Sequence, residues 1–168
     1  MTSIDASETR APNKPLAVLA AVDESGAAAE VVQRALWLAA TMGATLHVVR
    51  VIEVAPTIAL GGSSMLIPSA ARLVEMAWLD LDHLLPGEAQ REVIIKGHVV
   101  VGAPGPKIVE LASELEAEVL VIGTRNPGKV ASMLLGSVAT ELVRKAPCPV
   151  FVVRPKRRPH EDAAGKPA

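Results

Sequence analysis

The chain has 168 residues, 50% hydrophobic and 21% charged, which is enough for one domain with a full apolar core and short for two. Its 17 Lys and Arg against 18 Asp and Glu leave a net charge of −1, so nothing draws the whole molecule to nucleic acid or to an anionic membrane. Aromatic residues are 2% of the chain (Phe151, Trp37 and Trp78, with no Tyr), too few for a base-stacking platform. The single cysteine, Cys148, excludes an internal disulfide and sits between Pro147 and Pro149, where it reads as a small buried hydrophobe rather than a reactive thiol. No apolar run approaches the roughly 18 residues of a membrane span. Met1 to Pro15 is polar and has no signal-peptide core, so a cytoplasmic protein is expected.

Taken in order, residues 1–15 read as a flexible arm. Leu16 to Val22 is continuously apolar, as in a strand covered on both faces, and Asp23-Glu24-Ser25-Gly26 ends it. Ala27 to Met42 places Val31, Ala35, Leu38 and Met42 at helical spacing, with Gly43 as the stop and Trp37 off that line. Thr45 to Ile52 is a β-branched strand. Glu53 to Ser69 is a long connection with Gly61-Gly62-Ser63-Ser64, of the kind that forms a lid, a binding loop or a disordered segment. Ala70 to Leu85 returns to a helix through Leu73, Met76, Ala77, Leu81 and Leu84. Glu92 to Val101 predicts the third strand, and Gly102-Ala103-Pro104-Gly105-Pro106 turns into a helix through Ile108, Val109, Leu111, Ala112 and Leu115. Val119 to Ile122 is the fourth strand, Gly136 opens a last helix to Lys145, and Val150 to Val153 is the fifth strand. The charged tail from residue 155, with Lys156-Arg157-Arg158, reads as solvated.

Five strands thus alternate with four helices over residues 16–154, which predicts a single α/β domain with a parallel sheet and helices on both faces. Ligands of such sheets bind beyond the strand C-termini, where strand order reverses. Periodicity alone does not say which strands flank that point.

The stretch from Val119 to Ala139 carries the sharpest chemistry. Gly123 ends a buried strand, and Gly136-Ser137 opens a helix whose face is Val138, Leu142 and Val143. Amides at a helix start, with glycines permitting close approach, suit a phosphate. A plain strand-to-helix turn is the competing reading. Asp23, at the end of the first strand, faces the ligand edge or caps the first helix, a task for which Ser25 competes. The histidines His47, His83, His98 and His160 are scattered, without metal-ligand spacing, and there is neither a GxxxxGK[ST] nor a GxGxxG after the first strand.

Ala20-Ala21-Val22-Asp23-Glu24-Ser25, Val121-Ile122-Gly123-Thr124-Arg125, Leu134-Leu135-Gly136-Ser137-Val138 and Ala146-Pro147-Cys148-Pro149-Val150 together resemble the universal stress protein family. The resemblance runs from about Lys14 to Pro155. It implies a doubly wound, adenine nucleotide alpha-hydrolase-like fold with a five-stranded sheet of order 3-2-1-4-5. It also implies a homodimer through the last strand, Val150–Val153, and in one branch an ATP site.

That branch carries Gly, two residues, Gly, nine residues, Gly, then Ser or Thr. Gly123 and Gly136-Ser137 match at that spacing, and Asn126 replaces the middle glycine. Carried over by position, Ala21, Val22, Asp23 and Val51 would contact adenine and ribose. Gly123, Arg125, Asn126, Gly136, Ser137 and Val138 would hold the phosphates, and Mg2+ would come with the nucleotide. Asn126 tolerates positive φ, but Pro127 pushes it toward extended backbone and removes a donor. Two functions follow: ATP binding without efficient catalysis, at most a slow ATPase, or a non-nucleotide dimeric adaptor of the same family.

Overall fold

The computed structural model describes residues 14–53, 69–87, 93–124 and 135–154. In chain order these form β1 (Ala17–Val22), α1 (Ala28–Met42), β2 (Thr45–Ile52), α2 (Ala70–Leu84), β3 (Ile95–Val101), α3 (Pro104–Glu114), β4 (Val119–Gly123), α4 (Ser137–Lys145) and β5 (Val150–Val153). The strands form one parallel sheet of order β3-β2-β1-β4-β5. The expected arm, long connection and tail fall on residues 1–13, 54–68 and 155–168, outside the described residues.

The unbroken apolar runs have a direct cause. Successive strand side chains point to opposite faces, and both faces are covered, so no position can be polar without penalty. Val18, Ala20 and Val22 of β1 join Leu46 and Val48 of β2 under α1 and α2, packed by Val31, Ala35 and Leu81. Leu19 points the other way, with Val49, Leu120 and Ile122, onto Ile108 and Ala112 of α3 and Leu142 of α4. One six-residue strand thereby serves two cores. At the far end of α1, Gly43 takes φ 62°, and its N–H is directed at the Ala39 and Ala40 carbonyls. A left-handed residue there is what a helix needs to stop, and glycine adopts it without a Cβ clash.

Two positions, Met76 and Val143, differ from their helical-spacing expectation, and Trp37 agrees with its own. Met76 is 46% exposed, because the inward line of α2 is Ala77 and Leu81 with Leu73 and Leu84 beside it. Val143 is 49% exposed, since five residues beyond Val138 lies about 140° around the helix. Trp37, off the apolar line, projects into solvent.

The histidines are scattered in sequence, yet two of them meet. His47 of β2 and His98 of β3 face the same side of the sheet, with His47 Nδ1 and His98 Nε2 2.9 Å apart and the rings nearly parallel. One ring donates and the other accepts, so the bond holds with both neutral, whereas protonating both sets N–H against N–H. Burial, then the neighbouring His98 and Lys96, pushes the His47 pKa from 6.5 down to about 4. Burial and Lys96 lower His98 in the same direction. Between pH 6.5 and 4 the unfolded chain therefore binds the proton that the folded chain refuses, so stability must fall as pH drops through that window. From pH 7 to 4.5 the loss attributable to His47 is about 2 kcal/mol. Urea midpoints should show that slope in the parent and less than half of it in His47→Leu.

Candidate functional site

In the sheet order, the chain leaves β1 for β2 and β3 on one side and reaches β4 and β5 on the other. The C-terminal ends of β1 and β4 therefore flank the point where strand order reverses, which is where such sheets bind ligands. A cavity of about 520 Å³ occupies this place, a size suited to a small-molecule ligand. Its walls include Ala21, Val22, Asp23, Val51 and Gly123, from the ends of β1, β2 and β4, and Gly136, Ser137 and Val138 at the start of α4. The structure thus brings together eight of the residues expected at a binding site, while Arg125 and Asn126 lie outside the described residues.

On the α4 side the cavity wall is built from backbone. Gly136 is the N-cap of α4, with φ −59° and ψ 164° and no side-chain cap bond. The first-turn amides of Ser137 and Val138 have no acceptor within the helix, by helix geometry. Those dihedrals suit any residue, so the backbone conformation does not itself require glycine at 136. Gly123 has a different reason to be glycine: a Cβ there would stand 3.1 Å from Val31 Cγ2, so its absence lets α1 pack tightly onto β4. Close packing against Val31 is thus a reason for glycine at 123 besides the expected approach to phosphate. Beside it, Thr124 donates its N–H to the Val153 carbonyl at 3.0 Å. Its Oγ1 is buried and has no hydrogen-bond partner among the described residues. A buried hydroxyl left unpaired costs about 1–3 kcal/mol, which a ligand oxygen would recover.

The β1–α1 loop forms another part of the wall. Asp23 does not cap α1, contrary to one of its two expected roles. The N-cap is Ala27, in helical conformation and without a side-chain cap bond. Asp23 Oδ1 instead accepts from the Ser25 N–H at 3.0 Å, closing a turn within the loop. Ser25 Oγ accepts from Ala27 N–H at 3.3 Å, and the Ser25 carbonyl accepts from Ala28 N–H at 3.1 Å. Ser25 thus holds the approach to α1 from outside it.

Glu24, Ser25, Arg50 and Thr124 also line the cavity, and none was among the expected site residues. Arg50 was legible in principle as a charge inside an otherwise apolar strand. Its guanidinium is buried and ion-paired with Glu24, and it lies 3.7 Å from Asp80 Oδ2 on α2. Burial also pushes the Cys148 thiol up, in keeping with an inert packing residue. Among the described residues no three His, Cys, Asp or Glu stand together as a metal site, and no helix is long and apolar enough to cross a membrane.

Comparison with known proteins bears on the same region. The family model described as the universal stress protein family matches residues 17–154, every element of the sheet included. The chain belongs to the universal stress protein family. Universal stress protein A homolog 1 of Coxiella burnetii is 34% identical over 145 residues, covering 81% of this chain and 94% of that protein. A universal stress protein of Mycobacterium tuberculosis, Rv2005c, is 43% identical over 65 residues, and the match spans 21% of its length. Several curated relatives are thus matched over less than half of their own length. A solved universal stress protein in complex with cAMP shares 27% identity and a TM-score of 0.57, covering 84% of this chain and 98% of that one.

Proposed function

We propose that this universal stress protein binds an adenine nucleotide, ATP with Mg2+, in the cavity at the C-terminal edge of its sheet. It acts in stress signalling in the cytoplasm by binding rather than by efficient catalysis. The observation that carries the reading is that Gly136-Ser137-Val138, the Thr124 hydroxyl without a partner among the described residues, and Asp23 line one cavity. In this reading the α4 amides and the Ser137 and Thr124 hydroxyls donate to phosphate oxygens, and the helix dipole favours the charge. Ala21, Val22 and Val51 offer backbone and apolar surface to the base, and Asp23 accepts from ribose hydroxyls. Arg125 and Asn126 complete the phosphate loop in this reading. The nucleotide brings its metal with it, bound through phosphate oxygens. The cAMP complex of a 27% identical family member supports a nucleotide of this class.

Two copies pair through β5 in this proposal. β5 is a sheet edge on which Phe151 and Val152 are 41% and 37% exposed, an apolar strip with unpaired backbone beside it.

The second reading, a dimeric adaptor without nucleotide, is favoured by one feature, Asn126-Pro127 in place of the family's middle glycine. The double substitution Asn126→Gly with Pro127→Gly separates the two. Parent and variant binding ATP within about tenfold of each other, in calorimetric titration, supports the nucleotide reading. Tight binding gained only by the variant places the parent among the adaptors.

A further inference from the structure

Arg50 belongs to no part of the sequence pattern that marks the phosphate loop, yet it is the one Lys or Arg among the described residues that line the cavity. It stands near the end of β2, a strand otherwise apolar but for Thr45 and His47, and its side chain is 7% exposed. Two carboxylates meet it at one nitrogen. Nη2 donates to Glu24, and Asp80 Oδ2 lies 3.7 Å from the same Nη2. A guanidinium carries five N–H groups in a planar fork, so the three on Nη1 and Nε lie outside both ion pairs.

That fork matches the paired oxygens of a phosphate, and charge-assisted bonds of this kind gain strength where water is largely excluded. Glu24 also lines the cavity and competes for the guanidinium, but only weakly. Its side chain is 84% exposed, and an ion pair with so exposed a carboxylate contributes little, so it can give way to a ligand anion. Asp23 and Glu53 line the same cavity. Without the guanidinium, every described charged side chain in the wall would repel an anion.

Strand order sets Arg50 apart from the phosphate loop. β1 lies between β2 and β4, and neighbouring strands are about 4.8 Å apart, so Arg50 and Gly123 belong to strands about 10 Å apart. Two subsites so separated suit two anionic groups of one ligand. We propose that Arg50 forms a second anion subsite in the cavity, and that the ligand is a nucleotide bearing a second phosphate on its ribose. The first phosphate lies at Gly136-Ser137-Val138 and the second on the Arg50 fork, with Glu24 turned toward solvent. The first placement rests on the nucleotide reading above, whereas the anion affinity of Arg50 does not.

Calorimetric titration with 5′-AMP and with adenosine 3′,5′-bisphosphate tests the subsite as a ratio of two affinities. The parent should bind the bisphosphate about tenfold more tightly than AMP. In Arg50→Gln the ratio should fall to about one or below, because the remaining carboxylates repel the added charge. In Glu24→Gln it should rise about threefold, since the competing carboxylate is gone. A parent that prefers AMP or binds both alike overturns the proposal, and so does a ratio unchanged in a folded Arg50→Gln. Should Arg50→Gln not fold, the parent and Glu24→Gln decide, and a ratio that fails to rise in Glu24→Gln overturns it. Should the parent bind neither nucleotide, titration with inorganic phosphate, followed at the Arg50 Nε–H resonance by NMR, decides instead. A saturable shift then keeps the subsite and fails the nucleotide reading, and an unmoved resonance overturns both.

Discussion

A Gly136→Glu variant should melt within about 3 °C of the parent and bind adenine nucleotides about 100-fold more weakly. The first half follows from the backbone. Gly136 has φ −59° and ψ 164°, open to any L-residue, and a carboxylate at a helix N-terminus is mildly stabilising. The second half follows from where the new group sits. It places a negative charge and a bulky chain at the amides of Ser137 and Val138, where a phosphate would otherwise be held. Like charges at about 4 Å near a protein surface repel by about 4 kcal/mol, and relaxation into solvent leaves roughly 2.7 kcal/mol, a factor of about 100. Thermal melting and calorimetric titration on the same preparation check both halves. A variant that binds as the parent does removes the α4 terminus from the site.

The second large effect concerns stability. Leu120 of β4 is fully buried between Leu19 and the inner sides of α3 and α4, where it packs with Ile108, Ala112 and Leu142. Leu120→Ala removes that volume from the middle of the sheet, where neighbouring strands cannot collapse into the gap. The expected cost is about 3–4 kcal/mol, or roughly 10 °C in Tm. The same substitution at Leu79, 57% exposed on α2, should change stability by less than about 0.5 kcal/mol. Urea unfolding of the two variants beside the parent measures the contrast. Near-equal losses would mean that the sheet's second core does not carry the stability ascribed to it.

The fold was legible because its signals are local. β1 and β4 announce themselves as apolar runs because both sheet faces are covered there, and β2 and β5 by their β-branched and apolar residues, although Phe151 and Val152 of β5 are partly exposed. Gly43 stops α1 as its sequence position implies. Strand order was not legible in this way and came only from the family resemblance, since no side chain at the end of a strand names its neighbour. What the sequence left hidden is what depends on distant partners. His47 and His98 are 51 residues apart and meet only because β2 and β3 pair in one register. Arg50 was visible as a charge in a strand, but its partners Glu24 and Asp80 come from the β1–α1 loop and from α2, both distant in sequence. Gly123 shows the same limit: it stands at the start of the motif, and its close packing against Val31 of α1 depends on a partner 92 residues away. Asp23 lost its capping role because the helix starts later than an Asp or Ser cap would place it. Thr124 stood within the motif, and only its buried, unpartnered hydroxyl marks it out.

The central claim is that the cavity between the β1 and β4 loops takes an adenine nucleotide. Calorimetric titration of the native protein, freed of carried-over ligand, with ATP and magnesium tests it most directly. The account predicts a saturable one-to-one isotherm with a Kd below about 1 mM, lost in Gly136→Glu. An isotherm without saturation at several times that concentration, in protein shown to be folded, contradicts it.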